Sequence, residues 1–339
     1  MNYFLYCLFF PLLLSSLGCQ NLNPSTANKS PSQEDSLALN SSDASSKPIV
    51  RSPLMVSRDY GSTWMNIDEG LAPNAEASFI ESKGEEMVLA TDNQGIYLSQ
   101  NNRTQWKAIG KDLPNQKINA LHVGGESIFA GVYRAGIFET RDEGKNWESL
   151  NFDLPNLSVQ AILQVQDELW LGTDSGIFKL AKGSKNWEST EVNAQVLSLY
   201  AYEGRMIAGT SLGTLLSNDQ GATWDWIRKA GAVHYTHNIG SRIIELVLNG
   251  DLFYSDDWGQ SWQEMSYQPR KGSYVYEIAS LGDYWLMSNN YGIHRSADQG
   301  NSWDLIFPTE EMGFFDFLVM GNEIYGGTRA WDEYRERRK

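Results

Sequence analysis

Two cysteines in 339 residues, Cys7 and Cys19, are too few for a disulfide framework. Histidine is nearly as scarce, at four residues. His234 and His237 lie three apart on an expected strand, where alternation sends them to opposite faces, so they do not share one ion. Positive charge is short: 27 Lys and Arg stand against 42 Asp and Glu, a formal net charge of -15. That balance argues against nucleic-acid binding. The longest apolar run, residues 4–14, is too short to span a bilayer comfortably. There is no G-x-S-x-G elbow, no glycine-rich phosphate loop opening a helix, and essentially no helical pattern. No metal and no cofactor is expected.

Instead, one short pattern occurs seven times. The segments end at Trp64, Trp106, Trp147, Trp187, Trp224, Trp262 and Trp303, in steps of 42, 41, 40, 37, 38 and 41 residues. The shared pattern is S/T-x-D-x-G-x-T/S-W. A carboxylate there accepts backbone N–H groups from the residues after it, glycine tolerates positive φ, and tryptophan returns the chain to a sheet with a large apolar surface. Asp59, Asp142, Asp219, Asp257 and Asp298 are therefore read as structural. Lying one repeat apart, they do not converge as calcium ligands would. The copies at 99–106 and 180–187 lack the Asp and Gly and are expected to turn differently.

Between these boxes a second rhythm repeats. First strands are expected near Ala77, Ile118, Val159, Val196, Val233, Val275 and Phe314. Second strands follow near Met87, Ser127, Glu168, Arg205, Arg242, Tyr284 and Glu323, a third runs into each box, and a fourth leaves its Trp. Four antiparallel strands per repeat make one propeller blade. The first box precedes the first strand pair, and the last pair has no box after it. The expected fold is all-β: a seven-bladed β-propeller closed by N-terminal strands, from about Pro53 to Asp68, that complete the last blade.

The boxes resemble the Asp-box, or BNR, repeat of sialidase-like and sortilin-like propellers. Sialidases also need an Arg-Ile-Pro motif, and the corresponding segment here reads KPIVRSPL, Lys47 to Leu54. In blade number, boxes and length the chain further resembles the photosystem II assembly factors, which bind a membrane-protein segment without catalysis. That resemblance implies a scaffold role, and no binding residue is carried over from it.

Residues 1–18 resemble a lipoprotein signal ending in SSLGC, with Cys19 as the lipid-anchor residue. Residues 19–50 read as a Ser/Asn/Pro-rich linker, 51–334 as the propeller and 335–339 as a basic tail. These segments imply export and anchoring in the cell envelope, with Gln20 favouring the outer membrane. On the propeller face opposite the boxes, Arg228, Lys229, Arg270, Lys271, Arg329 and Trp331 are candidate partner-binding residues for an envelope protein or peptide. The other reading is a glycan-binding or glycoside-hydrolase-like protein. It needs two facing carboxylates, for which Asp92, Asp174, Glu277 and Asp316 are the candidates.

Overall fold

The computed structural model describes residues 52–100, 103–229, 231–248, 250–267, 274–309 and 312–330. The expectations for residues 1–51 and 331–339, Cys19 and Trp331 among them, lie outside the described residues, as do Arg270 and Lys271. Seven four-stranded antiparallel sheets form a ring, with no helix among the described residues.

Blades 1 to 6 run in chain order from the innermost strand outward. Their inner strands are Ala77–Lys83, Ile118–Gly124, Val159–Val165, Val196–Tyr202, Val233–Ile239 and Val275–Leu281. These begin at the expected residues because a β-branched or small apolar side chain opens each of them and is buried between blades. Blade 7 is assembled from both ends of the described chain, in the order Met65–Asn66, Leu54–Ser57, Glu323–Ala330, Met312–Met320. Its inner strand starts at Met312, two residues before the expected Phe314, because Met312 and Gly313 still pair with Ala330 and Arg329. The segment Leu54–Ser57 pairs antiparallel with Ile324–Gly327, which closes the ring.

Every inner strand carries a bulge one residue after its first buried position, as between Val233 and Tyr235 or Phe314 and Asp316. The extra residue bends the strand and re-aims the side chains that follow. The repeated bulge therefore sets which residues reach the channel wall.

The box turns lie on the opposite face of the ring from that end of the inner strands. In four boxes the Asp carboxylate binds the turn in one way. Asp219 Oδ1 accepts the Ser217 hydroxyl at 2.8 Å and the Thr223 N–H at 2.8 Å, and Oδ2 accepts the Thr223 hydroxyl at 2.6 Å. Asp59, Asp257 and Asp298 repeat this set, and Asp142 repeats it with Asn146 as the far partner. These bonds hold the carboxyls of Asp142, Asp219, Asp257 and Asp298 down to about 2. The turn needs two successive left-handed residues, such as Gln220 at φ 58° and Gly221 at φ 88°. Glycine is needed at the second for space as well, since a Cβ on Gly221 would lie 2.3 Å from the buried Trp170 of the blade before.

The two divergent boxes do turn differently. Arg103 fills the glycine slot at φ 67° and donates to the Glu85 carbonyl, the Glu85 carboxylate and the Tyr325 hydroxyl. In the other, Gly183 takes φ 78° and the Ser184 hydroxyl replaces the missing carboxylate as acceptor for the Asn186 N–H.

Candidate functional site at the channel mouth

The inner-strand bulges bring titratable side chains of adjoining blades together on the channel wall. Glu277 of blade 6 and Asp316 of blade 7 hold the same place after the bulge, as does Tyr235 of blade 5. Asp316 reaches across to blade 1, where its Oδ2 accepts the Ile80 N–H at 2.5 Å. One layer on, Glu81 of blade 1 repeats the move and accepts the Val123 N–H of blade 2 at 2.7 Å, with His122 Nδ1 at 3.6 Å. A carboxylate that bridges to the next blade's backbone satisfies a donor that no strand partner takes.

Burial governs the protonation of this wall. It pushes Asp316 up to about 8, and the nearby Glu81 charge adds to it, while the Ile80 N–H and Arg329 pull the other way. Burial also raises Glu277, reinforced by the Asp316 charge, and the Tyr235 hydroxyl within hydrogen-bonding reach of Glu277 offsets part of that. Tyr235 itself is raised by burial and by Glu277. His234 and His237 are pushed down to about 4 by burial, so both are neutral at pH 7. His237 packs at 4.8 Å from Tyr235 and edge-on at 6.3 Å from Tyr200. Glu277 and Asp316 therefore hold protons where ordinary carboxyls are charged. Among the described residues no group of three or more His, Cys, Asp or Glu is placed to hold a metal ion.

Of the four candidate carboxylates, the structure joins Glu277 and Asp316 and leaves the other two in turns of separate blades. Asp92 pairs with Lys117 at 2.9 Å. Asp174 Oδ1 accepts the side-chain amides of Gln160 and Gln195, each at 3.0 Å.

The basic candidates separate in the same way. Arg228 turns inward: Nη1 meets Glu245 Oε2 at 2.6 Å, Cζ lies 3.7 Å from the Phe253 ring centre, and Glu245 is fully buried. Arg329 is also buried, donating to the Ala77 carbonyl at 2.7 Å and the Ser78 hydroxyl at 2.6 Å. Both guanidiniums join neighbouring blades. Lys229 stays exposed, with Nζ 5.4 Å from the Trp226 ring centre.

Sequence reasoning missed Glu245 and Tyr235. Glu245 did leave a signal, because it sits in the second-strand slot that Leu89, Ala130, Leu171, Ala208, Met287 and Gly326 fill elsewhere. A charge at such a buried slot calls for a partner. For Tyr235 no signal exists before the bulge is known.

No protein-family model and no curated protein matches the chain. Solved structures do match in fold. One described as YCF48 bound to D1 peptide aligns with TM-score 0.64 and 16% identity over 82% of this chain and 96% of that one. The extracellular domain of a one-component system from B. thetaiotaomicron aligns with TM-score 0.65 and 13% identity over 77% of this chain, which spans only 38% of that one. A GH74 xyloglucanase from Xanthomonas campestris aligns with TM-score 0.57 and 15% identity, covering 71% of this chain and 46% of that one. At such identities the likeness is one of fold.

Proposed function

We propose that this chain is a non-catalytic, exported propeller that binds a protein or peptide of the cell envelope through the face opposite the box turns. A lipid on Cys19 holds it to the membrane, in the outer membrane on the reading of Gln20. The observation that carries this reading is how the channel carboxyls are used. Glu277 is 4% exposed, and Asp316 is bonded to the blade 1 backbone. Both serve the wall instead of facing a substrate. The likeness to a peptide-bound propeller over nearly that chain's whole length supports the same role.

The test is crosslinking in the native host, with recovery of the tagged protein and identification of what accompanies it. Charge reversal at Lys229, Arg270 and Lys271 should remove one stoichiometric envelope partner. Arg228 is left unchanged, because reversing it would set a second negative charge against buried Glu245. Recovery of no enriched protein sinks the proposal.

One observation favours a second reading, a glycan-active protein: the Glu277–Asp316 pair sits beside Tyr235 near the mouth. On that reading, a hydrolase screen finds turnover that Asp316→Asn abolishes. On the first reading no glycoside is cleaved.

A further inference from the structure

Seven blades on one plan act as an internal alignment, and two tryptophans break it. Trp226 stands two residues after its box Trp, where the other blades place Asn66, Ala108, Ser149, Ser189, Glu264 and Leu305. Trp258 is the fourth residue of its box, where others place Tyr60, Glu143, Gly183, Gln220 and Gln299. The box Trps are required by every blade, whereas these two are required by none. Trp226 is 38% exposed. Trp258 takes φ 59°, the conformation that this slot has in every Asp-bearing box, so it is the side chain and not the backbone that differs.

Both line one groove on the box face, between the outer strands of blade 4 and the box turn of blade 5. It is an open groove of about 440 Å³. Leu216 and Ile227 contribute its apolar part, and Asn218, Asp225 and Gln260 its planar polar groups. Trp258 is held from behind. It stacks on Tyr202 at 6.1 Å and 21°, and Arg205 lies 4.3 Å from its ring centre while donating to Asn218 at 3.0 Å. The aromatic and polar groups are thus fixed before any ligand arrives, which lowers the ordering cost of binding.

We propose that this groove binds a glycan chain. A pyranose ring has a face of weakly positive C–H groups and a rim of paired hydroxyls. An indole face takes the first, and side-chain amides, a carboxylate and a guanidinium take the second. The groove is open and offers no enclosed socket of the kind a peptide anchor residue fills. This site does not rest on the function proposed above; Lys229, whose Nζ lies 5.4 Å from the Trp226 ring centre, borders both, and the Trp258→Ala and Gln260→Ala variants below keep the two tests apart.

The test uses the full propeller with cellotetraose, maltotetraose, xylotetraose and chitotetraose as probes, read by tryptophan fluorescence and calorimetry. At least one probe should saturate. Trp226→Ala should weaken it roughly tenfold with an unchanged melting temperature, and Trp226→Phe should retain most of the affinity. Gln260→Ala, on the polar rim, should weaken it less. The proposal is overturned if no probe saturates, or if binding survives both Trp226→Ala and Trp258→Ala. Uptake of a short peptide at the groove in place of every glycan also overturns it.

Discussion

The two halves of the ring join their blades by different means. In blades 1 to 3 each box indole N–H donates to the blade before it, whereas that of Trp64 in blade 7 turns back to the Gly61 carbonyl of its own box. Trp106 reaches the Ile67 carbonyl at 2.6 Å, Trp147 that of Ile109 at 2.7 Å, and Trp187 that of Leu150 at 2.7 Å. From blade 4 onward this bond disappears. The indole N–H groups of Trp224 and Trp262 have no partner, and that of Trp303 turns back to Gly300 in its own box. Arginines on aromatic rings take over there: Arg205 over Trp258, Arg242 over Tyr254 and Trp285, and Arg295 over Tyr284. Arg242 also donates to the Gln299 carbonyl of blade 6, and Arg295 to the Ser62 hydroxyl of blade 7. The repeat motif thus fixes the shape of every blade, but its Trp also ties the seam only in blades 1 to 3, and elsewhere residues outside the motif do so.

The largest expected break in this contrast comes from pH, at the seam where blade 7 meets blade 1. Asp316 binds its proton more tightly folded than unfolded, so folding takes up a proton between about pH 4 and pH 8. Its stabilising contribution is whole at the acid end and is lost as pH rises through that window, by at most about 1.4 kcal/mol per pH unit. Glu277, His234 and His237 also titrate in this window, so the readout is the difference between the two proteins: in denaturant melts the stability of the wild type relative to Asp316→Asn should fall as pH rises. A difference that does not change with pH refutes the assignment.

Next is the seam between blades 4 and 5, where Arg228→Ala strands buried Glu245. We expect a loss of about 3 kcal/mol, diminishing at low pH as Glu245 takes up a proton. An unfolding midpoint within error of wild type would show that the ion pair does not hold the seam.

A smaller and more selective contrast tests the indoles themselves. Trp106→Phe should cost about 1 kcal/mol more than Trp224→Phe, because only the first loses a hydrogen bond. Equal costs would mean that the two halves do not differ in this respect. The smallest effect is expected for Arg242→Ala, about 0.5–1 kcal/mol, since its ring contacts and its pairing with Asp256 lie near the surface. High salt should reduce only the ionic part of that cost.

Blade count, strand order and closure were legible because each depends on features that sequence displays directly: a Trp every forty or so residues, β-branched runs, and boxes out of phase with strand pairs. The wall of the channel was legible only in part. Glu277 and Asp316 stood out as carboxylates at strand starts, but their meeting depends on a bulge that leaves no mark in the residue pattern. Arg228 and Arg329 read as surface cations because they close strands beside loops. Their inward turn depends on Glu245, seventeen residues on in the next blade, and on backbone carbonyls that sequence does not reveal. Charges at blade ends are thus poor guides to a binding face until the neighbouring blade has been checked for a buried partner.

The closing blade has a consequence for how the molecule is made. Its third strand outward, Leu54–Ser57, is among the first parts of the propeller to be synthesised, yet its partner, Glu323–Ala330, is the last of the described strands. Until that partner emerges, six blades form an open arc with unsatisfied faces at both ends, and Leu54 and Val56, fully buried in the finished ring, have nowhere to go. A chain stopped before residue 312 is therefore expected to be a sticky crescent instead of a smaller ring, so completion of the fold waits on the strands Met312–Met320 and Glu323–Ala330.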